Sequence, residues 1–183
     1  MIYVVGDCYT EEISRHSKNS NIEFRFYPGY GPFREKFIEI MQQYAYLNGD
    51  FRYKAVLFFG YADILKLEDP NSIRKSVDKY VTLSNKYLGE DVYFIDPFPH
   101  NAGSKTYINN LFCDLLTEAV GDKKIISQSD ILNAMDKKDG LTDDDYLQDS
   151  TNTGTMLKLE LSQKLCEFIE KKLLTLMKTK CYT

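Results

Sequence analysis

The sequence predicts an α/β fold: a three-layer α/β/α sandwich with about five parallel strands. Two features of the chain point there. Short apolar runs, Ile2–Val5 and Ala55–Phe59, are each stopped by a glycine. Between such runs lie segments whose apolar residues recur at helical spacing. Strands separated by helices of that length make parallel, right-handed crossovers. At 183 residues the chain is one domain's worth, and it reads as a single domain spanning 1–183.

Ile2–Val5 is the first strand, ending at Gly6. Ile22–Tyr27 alternates apolar and polar residues and runs into Pro28-Gly29, a turn pair. Pro32 is placed to open a helix, with Phe33, Phe37, Ile40, Met41 and Tyr44 along one face. Ala55–Phe59 is continuously apolar, as in a strand covered on both faces, and stops at Gly60. Asn71 or Ser72 caps a second long helix, whose stripe is Ile73, Val77, Tyr80, Val81 and Leu88. Val92–Ile95 is the fourth strand, closed by Asp96-Pro97-Phe98-Pro99-His100. A third helix carries Ile108, Leu111, Phe112, Leu115 and Ala119, and Lys124–Ile126 is a short fifth strand. From Ser127 to Gly154 the chain is polar and acidic, with one helical turn around Ile131–Met135. The last helix is expected from about Thr155 to Lys178, with Leu157, Leu161, Leu165 and Phe168 inward. The strand order expected is the flavodoxin-like 2-1-3-4-5.

Composition excludes several classes. A net charge of -4 argues against a nucleic-acid partner. The longest apolar runs fall far short of the ~20 residues that cross a bilayer, so a soluble, cytoplasmic protein is expected. Cys8, Cys113, Cys166 and Cys181 lie far apart and only two histidines occur, so no metal site is expected and no cofactor is called for. Cys113 and Cys166 fall on helical stripes and read as small buried hydrophobes. Asp143-Asp144-Asp145 lacks the spacing of a calcium loop and reads as a solvated acidic stretch.

In parallel α/β folds, ligands meet the chain beyond the carboxyl ends of the strands. That rule selects Gly6–Thr10, Pro28–Gly31, Gly60–Asp63 and Asp96–His100. Cys8 opens the helix after the first strand, where backbone N–H groups favour a thiolate. It is read either as a nucleophile or as a small residue packing the turn. Tyr27, Tyr30 and Tyr61 fall at the same edge, either as packing or as platforms for a sugar or flat ligand.

Gly6-Asp7-Cys8 resembles the first block of the SGNH (GDSL-type) hydrolases, with Cys8 where the family has its serine nucleophile. Pro28-Gly29-Tyr30-Gly31 is similar to the second block, and Gly31 matches its oxyanion-hole glycine. Gly60-Tyr61-Ala62-Asp63 resembles the third, Gly-x-Asn-Asp, with Ala62 where the asparagine donor would be. The last block, Asp-x-x-His, would fall in Asp143–Gly154, which contains no histidine; the base position aligns with Gln148 or Asp149. The resemblance implies an SGNH-hydrolase-like fold whose cleft gathers Cys8, Asp7, Gly31, Gly60, Ala62, Asp63, Tyr30, Tyr61 and the Asp149 loop. It also implies degraded chemistry. A nucleophile needs a base within hydrogen-bond reach, and losing one oxyanion donor typically costs on the order of 10²–10³ in turnover.

His100 is the candidate replacement base, since it follows the fourth strand on the same sheet edge, although its loop would have to fold back. His16, two turns into the helix after Cys8, points away. The opening Gly-Asp-Cys also resembles, more weakly, the Gly-Asn-Cys-Gln start of the WcbI-type polysaccharide-biosynthesis proteins, for which coenzyme A-linked acyl transfer is the implied chemistry. Two functions follow. The favoured one is a relative that has lost serine esterase activity and serves as a binding or assembly module, its partner a small acyl or sugar ligand, another protein or a second copy. The other is an acyl hydrolase or acyltransferase acting on an ester, acetyl-sugar or acyl-coenzyme A through Cys8, with His100 or Asp149 as base.

Overall fold

The computed structural model describes residues 1–97, 105–147 and 156–178. Its centre is one parallel sheet of β1 (Ile2–Gly6), β2 (Ile22–Phe26), β3 (Lys54–Phe58), β4 (Tyr93–Ile95) and β5 (Ile125–Ile126), in the order β2-β1-β3-β4-β5. Register brings Gly6 level with Phe26 on one side and Phe58 on the other. The ends of β1, β2 and β3 therefore lie side by side.

The pleat divides the core in two. Ile2, Val4, Val56 and Phe58 point to one face, covered by α1 (Cys8–Ser14), α6 (Gln128–Ala134) and α7 (Leu159–Lys178). Val5, Ala55, Leu57 and Phe59 point to the other, covered by α2 (Phe37–Gln43), α4 (Pro70–Leu88) and α5 (Thr106–Val120). Strands buried on both faces must be apolar throughout, which is why Ala55–Phe59 shows no alternation. Cys166 is buried on α7, and Cys113 lies half-buried on α5. Among the described residues no helix is long and apolar enough to cross a membrane.

Tyr80, on α4, organises the second half of the core. Its ring meets Phe37, Phe59 and Phe94 edge-on, and its hydroxyl accepts the Phe59 N–H at 3.3 Å. Tyr80→Phe keeps the ring but strands a buried N–H, so a loss of about 1–2 kcal/mol is expected in urea unfolding. A loss near zero would mean that the Phe59 amide finds another acceptor.

Several boundaries differ from the sequence expectation. Pro32 begins a loop of turns, and regular helix starts at Phe37. Asp69 caps α4, accepting the Ser72 N–H at 2.9 Å, with Pro70 as its first residue; the cap is neither Asn71 nor Ser72. The single turn expected near Ile131 is a seven-residue helix capped by Ser127. The last helix starts at Leu159, and Leu157 instead pairs with Tyr146 as an antiparallel bridge. A short helix, α3 (Tyr61–Lys66), directly follows Gly60 in place of a loop. α1 ends at Ser14, which leaves His16 beyond it.

Candidate functional site

The site grows out of the turn between β1 and α1. Gly6 passes so close to β3 that a Cβ would stand 2.2 Å from the Phe58 carbonyl oxygen and 2.1 Å from Thr10 Oγ1. The Asp7 N–H then donates to the same Phe58 carbonyl at 3.1 Å. This holds the start of α1 against the end of β3.

Asp7 is buried and works as a double cap. Oδ1 accepts the Tyr9 N–H of α1 at 3.4 Å, and Oδ2 accepts the Tyr61 N–H of α3 at 3.1 Å. The carboxyl is pushed up to about 7 by burial; the helix amides oppose this, and the neighbouring Asp63 adds to it. Asp7 thus joins two strand-end turns from within, with its carboxylate turned into the protein.

Cys8 is the first residue of α1 and is half-buried. Burial and the charge of Asp7 raise its thiol pKa, with Glu11 adding to the rise. Two backbone N–H groups pull the other way, that of Gly29, from the turn after β2, and that of Cys8 itself. Gly29 adopts φ of 72°, a left-handed conformation that glycine takes without strain.

Gly31 does something different from its neighbour. A Cβ there would sit 2.0 Å from Asp63 Oδ2, so the loop closes directly on a buried carboxylate. Asp63 Oδ1 accepts the Phe33 N–H at 3.0 Å and the Ser76 hydroxyl, while Oδ2 has no partner among the described residues. Its carboxyl is also pushed up to about 7, by burial. Asp63 therefore pins the β2–α2 loop, and through it the turn that carries Gly29. Gly60, at φ of 126°, packs against Pro97 and Phe112. Ala62 is buried and offers no side-chain donor.

The three edge tyrosines part company. Tyr61 is buried with its ring edge-on to Tyr9 at 4.9 Å, so it forms the floor of the turn and no stacking platform. Tyr27 is half-buried and tied to α2 and its C-cap through Gln43 and Tyr44, at 2.9 and 2.7 Å. Tyr30 is exposed, with the Arg34 guanidinium 5.7 Å from its ring centre. His100 and Asp149, like Gln148, lie outside the described residues. Among the described residues no imidazole or carboxylate is hydrogen-bonded to Cys8, and no cluster suited to a metal ion is present.

Sequence reasoning missed Glu12. It is buried on α1, and its Oε1 accepts the Leu157 N–H and the Ser162 hydroxyl, both at 2.5 Å. The two sides of the 148–155 stretch meet there: Leu147 N–H donates to Met156 and Lys158 N–H to Asp145, both at 2.9 Å. The helix that starts at Cys8 thus anchors the base of the segment where the family's last block would fall. The available signal was Glu12's place one position before Ile13 and three after Tyr9, inside the inward stripe of α1.

No protein-family model matches the chain, and no curated protein matches it in sequence. Solved structures do match it in shape. A member of the lipolytic G-D-S-L family from Veillonella parvula aligns over 95% of this chain and 97% of its own, with a TM-score of 0.66 at 17% identity. A GDSL-like lipase from Bacteroides thetaiotaomicron aligns over 96% and 88%, with a TM-score of 0.66 at 13% identity. The salicylyl-acyltransferase SsfX3 of a tetracycline biosynthetic pathway aligns at a TM-score of 0.54 and 9% identity, over 96% of this chain. This chain spans 54% of that acyltransferase's length. Likeness at such identities speaks to architecture. The sheet order and these likenesses together give the chain an SGNH (GDSL-type) hydrolase-like α/β fold.

Proposed function

We propose that this protein has lost serine-type esterase activity and uses the SGNH-like framework as a binding module for a small acyl or sugar ligand. The observation that carries this reading is the setting of Cys8. Its sulfur is half-buried beside Asp7 and Glu11, which both disfavour the thiolate a nucleophile must form. Two further features support it. Asp7 is occupied in capping two helices. Ala62 stands where the family's third block has an asparagine, and a missing oxyanion donor weakens any tetrahedral intermediate. Tyr30 offers an exposed ring at this edge, with the Arg34 guanidinium between it and Phe33.

A second reading, acyl transfer through Cys8, is favoured by the Gly29 N–H, which works against the rise in the thiol pKa. One experiment separates the two. Alkylation of Cys8 is followed against pH in a chain with Cys113, Cys166 and Cys181 changed to serine, and hydrolysis of acyl esters and acyl-coenzyme A is compared with Cys8→Ala. Half-maximal labelling above ~8.5, the value of a free thiol, is expected. So is turnover that does not depend on Cys8. Labelling with a depressed midpoint, together with turnover abolished by Cys8→Ala, would replace the binding reading with the catalytic one.

A further inference from the structure

A cavity opens at the same edge of the sheet, two strands from β1. It lies beyond the ends of β4 and β5, between α5 and α6, with a volume of about 570 Å³. The size is ordinary for a small-molecule site, and the location obeys the strand-end rule for parallel sheets.

Its wall is a built polar network. Asp96, the residue after β4, is buried, and its Oδ2 accepts the Gln128 backbone N–H at 3.1 Å. The Gln128 side chain is held by its oxygen, which accepts from Asn109 Nδ2 at 2.7 Å and from the Cys113 thiol at 3.4 Å. The Asn109 bond fixes which way the amide faces and leaves Nε2 as its remaining polar group. The single thiol proton of Cys113 is shared among Gln128 Oε1, the Pro97 carbonyl at 3.7 Å and the Asp96 carboxyl. Asp96 Oδ1 has no partner among the described residues. A buried carboxylate oxygen left unpaired is costly, so such a group in a cavity wall asks for a donor from outside. Asp114 adds a second carboxylate to the wall and Lys138 one cation, which leaves the lining net negative, and Asn133 and Thr117 add neutral polar groups.

We propose that this cavity binds a small hydroxylated primary amine of the amino-sugar class, with the ammonium on Asp96 and an adjacent hydroxyl accepting from Gln128 Nε2. A positive charge beside Asp96 would supply the partner its burial withholds. The acceptor and the amide donor, both without a partner among the described residues, match an amine next to a hydroxyl. This site is independent of the reading of Cys8 and uses none of that turn's residues.

The test is a titration of the whole chain with glucosamine, using glucose as the neutral control, read by amide chemical shifts at Gln128 and Cys113. Glucosamine is expected to move both signals saturably, and glucose is not. Asp96→Asn retains an oxygen for the Gln128 N–H, so it is expected to fold; it should weaken glucosamine binding by about tenfold or more, the value of a charge-assisted hydrogen bond. Thermal unfolding of the variant checks that it is native. Three results would overturn the proposal: no shift at those amides with glucosamine, equal shifts with glucose, or unchanged affinity in a folded Asp96→Asn chain.

Discussion

Gly6→Ala is expected to destabilise the protein by about 3 kcal/mol or more, at the upper end of overpacking effects. The added methyl would meet the Phe58 carbonyl oxygen at 2.2 Å and Thr10 Oγ1 at 2.1 Å. Thr10 is a side chain and can rotate. The Phe58 carbonyl cannot, because it belongs to β3 and already accepts the Asp7 N–H at 3.1 Å. Relief requires β1 and β3 to part at their ends, which breaks that bond and pulls the Asp7 cap away from α3. Gly29→Ala is the useful comparison. Nothing lies within 4 Å of its Cβ position, so its cost is conformational, roughly 1–2 kcal/mol for a left-handed backbone. Urea unfolding of both variants separates close approach from backbone strain. If Gly6→Ala costs no more than Gly29→Ala, the β1–β3 contact is far more compliant than its geometry indicates. A variant that does fold should also label faster at Cys8, because the helix start that buries the thiol has been lifted.

That contact shows what could be read from the chain. The sheet and its order were legible because parallel strands covered on both faces must be continuous apolar runs, and Gly6 and Gly60 mark where two of them stop. The strand-end blocks were legible as positions but less so as roles. Asp7, Asp63 and Tyr61 read as cleft residues, yet all three are buried. A pattern of residue types cannot say which way a side chain turns when a short helix follows the strand. Here α3 starts immediately after Gly60 and presents its first amide to Asp7. Glu12 escaped for a related reason, and Asp96, selected as the start of a strand-end loop, was not legible as a buried acid. Acids are expected at the surface, and only the tertiary partners Leu157, Ser162 and Gln128 show why these two are inside. The Gly29 amide escaped because a backbone group leaves no trace in residue identity beyond the glycine that lets it turn.

Those inward acids set the second large effect: stability should fall as pH rises from about 4 to about 7, the range between the unfolded-state and folded-state values. Burial pushes Asp7, Asp63 and Asp96 up from 3.8 to about 7, and Glu12 from 4.5 to about 7. Between those limits the folded chain holds protons that the unfolded chain has released. The derivative of unfolding free energy with pH is therefore negative. This stabilisation is complete below the unfolded values, is lost through about pH 7, and is level above it. Asp50, Asp69 and Asp145 are shifted downward by their partners, so their contributions are lost only on acidification, below the ordinary carboxylate range. The two sets act in separate windows, and the maximum should lie near pH 4–5. A loss on the order of 4 kcal/mol or more between about pH 5 and pH 8 is expected in urea unfolding. The scale follows from linkage: a tenfold difference in proton affinity between the folded and unfolded chain is worth ~1.4 kcal/mol at each carboxyl. Asp63→Asn identifies the source. Its amide oxygen can keep both the Phe33 and Ser76 bonds that Oδ1 now makes, and its nitrogen replaces the oxygen that has no partner among the described residues. The variant should match or exceed the natural chain in stability at about pH 8, where an ionised buried carboxylate is most costly, and its pH profile should be flatter by about one proton. Removing the Asp63 charge also relieves Asp7, whose carboxyl it helps to raise. A profile unchanged by Asp63→Asn would mean that Asp63 ionises in the folded protein as readily as in water, and that the β2–α2 loop is held by an ordinary carboxylate.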